Sequence, residues 1–141
     1  MNTVDKRIIK FIQQHHVLTL ATTKNNIPWC CNCFYTYVQE DNMLVVLSDK
    51  GTRHVDECIE NINVAGSIVL ETSIIGKIRG IQFTGIMIEL KDDELKLARK
   101  AYLFKFPYAL LTKTIVWGIK IQHIKMTDNR LGFGEKIYWN S

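Results

Sequence analysis

Apolar and polar positions along the chain follow two periods. Between Thr3 and Gln14, Val4, Ile8, Phe11 and Ile12 recur at i, i+4, i+7 and i+8, the single apolar face of a helix, with Asn2 or Thr3 as its cap. The period then falls to two. Val17 to Thr23 is rich in β-branched residues and reads as a strand. Lys24-Asn25-Asn26 reads as a turn, because asparagine tolerates positive φ. Pro28 opens a second strand, Trp29 to Val38, in which neither face is plainly polar, so both faces are expected to be covered. Asn32 is the polar exception in that run. Buried there, it needs either a backbone partner or a ligand. A turn over Gln39 to Asn42 leads to a third strand, Met43 to Ser48. The short turns make these neighbours antiparallel.

After Thr52 the helical period returns, with Val55, Cys58, Ile59 and Ile62 on one face. Val64 to Glu71 and Ile78 to Leu90 read as the fourth and fifth strands. Gly80 and Gly85, inside the fifth, mark a bulge, a bend or a close backbone approach. Asp92 and Asp93 cap a third helix, Glu94 to Phe106, which Pro107 ends. It carries two apolar stripes: Leu95, Ala98 and Tyr102, then Leu97, Ala101 and Phe104. Thr114 to Met126 and Leu131 to Trp139 complete the set. The order is α-β-β-β-α-β-β-α-β-β. It predicts a mainly β, α+β fold, an antiparallel closed or split barrel of six to seven strands, rather than a doubly wound parallel sheet.

Composition narrows the class. At 141 residues, one domain over 1–141 is expected. With 47% hydrophobic and 23% charged residues, the composition is globular and long disorder is not expected. No apolar run approaches the roughly 20 residues that span a bilayer. The start, MNTVDKRIIKF, lacks the pattern of a signal peptide, so a cytoplasmic protein is expected. The net charge of +4 comes from scattered bases without a run, and a nucleic-acid partner is not expected. Cys30, Cys31, Cys33 and Cys58 have no second ligand pair at metal-binding spacing. Adjacent strand residues point to opposite faces, which works against three ligands converging. Buried reduced thiols, and no metal, are the expectation.

The richest chemistry lies in Ser48-Asp-Lys-Gly-Thr-Arg-His54, where a strand hands over to a helix. Thr52 offers a hydroxyl, Arg53 a fork of N–H donors and His54 one more donor. The helix start adds amides and a favourable dipole, and Gly51 lets the backbone turn tightly. The group suits a phosphate; an ordinary turn with Thr52 as N-cap is the alternative. Neither a Walker nor a Rossmann glycine spacing is present. No residue stands out as a catalytic acid, base or nucleophile.

With Pro28 at the start of the second strand, Ser48 to His54 at the strand–helix junction, Asn61-Ile-Asn-Val64 entering the next strand, and Phe106-Pro107 closing the third helix, the chain resembles the FMN-binding split β-barrel superfamily that includes pyridoxamine 5′-phosphate oxidase. Ala98-Arg-Lys-Ala-Tyr102, Thr127-Asp-Asn129 and Leu131-Gly-Phe-Gly134 look like its small, YhbP-like bacterial subgroup. The resemblance implies a homodimer with FMN at the interface. Thr52, Arg53 and His54 would hold the phosphate, and Ser48 would add a contact. Cys31 and Asn32 would border the isoalloxazine, and Lys136 would reach the flavin from the other subunit. It also implies flavin-dependent oxidoreductase chemistry on a small molecule. A non-catalytic flavin- or haem-binding module, with haem on His123 or His54, is the alternative, and a nucleic-acid-binding barrel a third reading. The departures lie at the substrate end. Cys31 and Thr36 replace an Arg and a Lys of the oxidase, and Gly132-Phe-Gly-Glu-Lys136 replaces its R-L-H-D-R. Pyridoxamine phosphate oxidation is therefore not expected.

Overall fold

The two edges of the main sheet are neighbours in sequence. In a computed structural model that describes residues 2–111 and 113–141, β1 (Val17–Lys24) and β2 (Ile27–Phe34) form a hairpin, and the chain then breaks at Tyr35 before β3 (Thr36–Val38). β4 (Met43–Ser48), β5 (Asn63–Val69), β6 (Arg79–Glu89), β7 (Ile115–Asp128) and β8 (Lys136–Asn140) follow. The sheet order is β2-β1-β5-β6-β7-β4-β3, with β8 also paired to β7. All pairings are antiparallel. β2 and β3 thus sit at opposite ends of the sheet, joined through one residue.

Trp29 to Val38 is therefore two strands rather than one, which brings the number among the described residues to eight. The reason is tertiary. Tyr35 is fully buried, its amide donates to His16 O at 3.0 Å, and its hydroxyl donates to Ile12 O at 2.6 Å. Those bonds turn the backbone away from the β1 ladder.

β7 is long enough to serve two neighbours on one side. Its first half pairs with β4 and its second half with β8. Opposite β6 the register slips between Thr84 and Gly85, a bulge that bends the pair. A side chain at Gly85 would overlap the Lys120 carbonyl oxygen, so the expected close approach is present there.

Among the described residues three α-helices cover the sheet: α1 (Lys6–Gln14), α2 (Arg53–Glu60) and α3 (Asp92–Lys105). α1 buries Ile8, Phe11 and Ile12, the periodic face. Its cap is Asp5, whose carboxylate accepts from the Arg7 amide at 2.8 Å, so the helix starts later than Asn2 or Thr3 would set it. The Arg7 guanidinium on the same carboxylate holds the Asp5 pKa down to about 2. The main core joins these residues to Leu18, Leu20, Val46, Phe83, Ile119 and Ile124. Burying each such side chain stabilises by about 1.5–3 kcal/mol. A smaller core lies under α3, where Ala98 and Tyr102 meet Val45, Leu90 and Val116. In the second stripe of α3, Leu97 and Phe104 face outward, Phe104 being 91% exposed, while Ala101 packs against this smaller core. Among the described residues no helix is long and apolar enough to cross a membrane.

Candidate functional site

β4 delivers the first residue of the site. Its end is pinned from behind, because Trp117 Nε1 donates to Ser48 O at 2.9 Å. The turn that follows needs Gly51, whose φ is +96°. The Gly51 amide donates to Asp56 Oδ1 at 3.0 Å, and Thr52 Oγ1 donates to Asp49 O at 2.9 Å. Thr52 is thus at the N-cap position of α2 without capping it: its hydroxyl is turned back into the turn. The first-turn amides of α2, which have no intrahelical acceptor, receive none from a cap either.

Arg53, on that first turn, is half-exposed. Its guanidinium lies 4.1 Å over the Trp29 ring, and its Nε stands 3.5 Å from Glu57 Oε2. Glu57 is buried. One oxygen accepts from Thr22 Oγ1 at 3.4 Å, while Oε1 has no partner. Arg53 and Glu57, with Lys24, Asn25, Ile27, Gly51 and Asp56, line a cleft of about 470 Å³.

His54 turns the other way. Its Nε2 lies 2.6 Å from Ser48 Oγ. The ring also meets Cys31 and Cys33, which share one face of β2 with their Sγ atoms 3.8 Å apart. The three ligand-type atoms of Cys31, Cys33 and His54 all lie within 4.8 Å of one another. The Cys33 thiol, hydrogen-bonded to the Cys31 sulfur, holds the Cys31 pKa well below the usual thiol range, and the His54 ring adds to this. The same bond and burial push Cys33 up. Of the four cysteines only Cys58 is buried; Cys30 is exposed and the other two are half-buried. Burial pushes Cys58 up to about 11.

The remaining expected residues are not gathered here within one chain. Asn32 is exposed, not buried, and its Oδ1 accepts from Thr19 Oγ1 at 3.0 Å. It projects from the face of β2 opposite to Cys31. Lys136 opens β8 against Thr127, whereas Ser48 pairs with Ile115, twelve residues back along β7. That is roughly 40 Å of strand.

Sequence reasoning passed over Glu57 and read Cys33 only as a buried reduced thiol. Two signals were present. Cys31 and Cys33 stand at the i, i+2 spacing that puts strand residues on one face, and Arg53 and Glu57 at the i, i+4 spacing of a helix pair.

The uncapped turn, the edge strand beside it and the barrel behind them invite comparison with known proteins. No family model matches the chain. A UPF0306 protein of Serratia proteamaculans is 38% identical over 141 residues, covering 99% of this chain and 98% of its own. The chain belongs to the UPF0306 family. A second UPF0306 member, from Photorhabdus laumondii, is 39% identical over 132 residues, covering 94% of this chain and 92% of that protein. Solved split-barrel structures share the fold of this chain at low sequence identity. A haem-binding protein from Mycobacterium smegmatis aligns with a TM-score of 0.80 at 18% identity, over 97% of this chain; the chain spans 59% of that protein's length. An FAD-binding protein from Mesorhizobium loti gives 0.71 at 18% identity, over 87% of this chain and 94% of that one. HutZ, the haem storage protein from Vibrio cholerae, gives 0.66 at 16% identity, over 86% and 92%.

Proposed function

We propose that the chain is an FMN-binding protein, one domain over residues 1–141, that works as a homodimer and as a flavin-dependent oxidoreductase on a small molecule. The observation that carries this reading is the start of α2. It is left uncapped, with Arg53 on its first turn reaching into an open cleft beside an apolar edge strand. The donor set suits a phosphate. Arg53 gives a charged fork, the first-turn amides give aligned N–H groups, and Lys24 stands on the rim, paired with Glu60 at 3.3 Å. Of the acids nearby, Asp56 accepts from the Gly51 amide, and Glu57 pairs with Arg53 through Oε2 while its Oε1 stays without a partner. Ser48, Thr52 and His54 stand at the edge of this seat. On β2, Cys31 and the backbone at Asn32 border the flavin ring, and Lys136 comes from the partner subunit. The homodimer draws support from β2, an edge strand that leaves Ile27 and Phe34 about 60% exposed.

Bound FMN would supply a ring that accepts a hydride or single electrons. The protein's part is to hold the phosphate at Arg53, to keep water from the ring with the apolar side chains of β2, and to leave the outer face open to substrate. Titration of the apoprotein with FMN, followed by flavin fluorescence quenching, tests the seat. Arg53→Ala is expected to weaken binding by about 1.5–3 kcal/mol, the loss for a charged hydrogen bond. Unchanged affinity removes the phosphate from this turn.

A haem-binding module is the second reading, supported by one more observation. His123 Nδ1 is held by Asn140 Oδ1 at 2.7 Å, and the ring lines a separate cleft of about 450 Å³ with Phe83, Cys30 and Lys125. A Soret band that disappears in His123→Ala would favour this reading over the flavin.

A further inference from the structure

We propose that Cys31, Cys33 and His54 form a binding site for a thiophilic divalent cation of the zinc class. Two sulfurs bound to one tetrahedral zinc, each about 2.3 Å from it, stand about 3.8 Å apart. The Cys31 and Cys33 Sγ atoms are already 3.8 Å apart. The imidazole nitrogen lies within 4.8 Å of both, so a small side-chain rotation closes the third edge. The ligands come from two elements that pack on each other, β2 and the first turn of α2, so the site does not depend on one flexible loop. Period-2 geometry puts the two sulfurs on one face of the strand, and the helix start brings the ring over them.

The surroundings suit a metal as well. Ser48 Oγ holds His54 through Nε2, the kind of outer contact that fixes a ligating imidazole. Half-burial of all three ligands limits hydration while leaving a way in. Arg53 is turned away over Trp29, which keeps its positive charge off the ion. Two thiolates neutralise a divalent cation, and their two protons leave as it binds. Two cysteines and one histidine leave a fourth position open. That is the pattern of zinc sites that bind a water or a substrate atom, not of closed structural ones. A bound cation takes His54 from the phosphate and leaves the flavin seat with Arg53, the helix amides and Lys24. The site stands independently of the flavin reading, since its three ligands suffice without a cofactor.

The test uses the full chain, reduced and stripped of metal with a chelator, then titrated with Co²⁺ and with Zn²⁺ against a chromophoric competitor. The expected result is one ion per chain, with Co²⁺ giving thiolate charge-transfer bands and the visible bands of tetrahedral coordination. Cys31→Ser and Cys33→Ser abolish those bands, and His54→Gln weakens Zn²⁺ binding at least tenfold. Ser48→Ala weakens it about 10- to 100-fold, as for other outer-sphere partners. Cys30→Ser and Arg53→Ala leave it unchanged. Absence of Co²⁺ thiolate bands in the wild-type chain overturns the proposal without recourse to any variant. So does binding that survives Cys31→Ser and Cys33→Ser in chains with wild-type circular dichroism. Loss of FMN affinity in Arg53→Ala with intact Zn²⁺ binding separates the two sites.

Discussion

β1 and β2 are paired residue for residue over eight positions, from Val17 opposite Phe34 to Lys24 opposite Ile27. They nevertheless share little else. β1 buries Leu18, Leu20 and Thr22, and it has β5 as a second neighbour. β2 buries nothing, and its other side is an edge. Both sequences are apolar enough to be core. The difference shows that backbone pairing does not decide which strand is core. The number of covered faces does. An exposed edge strand carrying Ile27, Trp29 and Phe34 is a liability for a lone chain, and natural proteins seldom leave one open. The surface of β2 is better explained as reserved for something that binds there, which is why the proposed dimer and the flavin both use it.

The sharpest way to break this contrast is a matched pair of truncations. Leu20→Ala, in the core, is expected to cost about 2–5 kcal/mol in urea unfolding. Ile27→Ser, on the edge, is expected to stay within about 0.5 kcal/mol when measured on dilute protein. Equal losses would mean that β2 is core after all. A smaller effect is expected from Thr22→Val. It removes the hydroxyl that β1 lends to the buried Glu57 and should cost about 1–2 kcal/mol. A neutral result would show that Arg53 alone suffices for Glu57 Oε2.

The subtlest effect is one of pH, near the point where β2 ends. Lys105 Nζ donates to His15 O at 2.7 Å and lies 4.5 Å from the Tyr35 ring centroid. Burial lowers its pKa from the usual 10.5 to about 8. Between these values the unfolded chain holds the proton and the folded chain has released it. Stability contributed by this group therefore rises with pH from about 8 to 10.5 and is level below that window. Lys105→Met should flatten the rise relative to wild type in denaturation midpoints taken across that range. An unchanged slope would assign the rise to other groups.

Much of the architecture was legible because it is local. Met43–Ser48 ends where the polar turn begins, and Gly85 marks the bulge because no other residue fits beneath the Lys120 carbonyl. What escaped depends on distant partners. Nothing in Phe34-Tyr35-Thr36 signals a break; His16 and Ile12 impose it. Asn32 reads as buried until the strand order puts β2 at an edge. Period two does place Cys31 beside Cys33, but the ring that completes the cluster arrives from a helix more than twenty residues on. Asp5, by contrast, was readable. An aspartate ahead of Lys6 is as good a cap as Asn2 or Thr3, and only the carboxylate bond to the Arg7 amide decides between them.

The single residue that joins the sheet's two ends has a consequence for how the barrel forms. Bringing distant strands together ordinarily costs chain entropy that grows with the logarithm of the intervening length. Here the last gap, between β2 and β3, is bridged by Tyr35 alone, so curling the sheet requires almost no further loss of that kind. The entropic cost falls instead on the long-range pairing of β4 with β7.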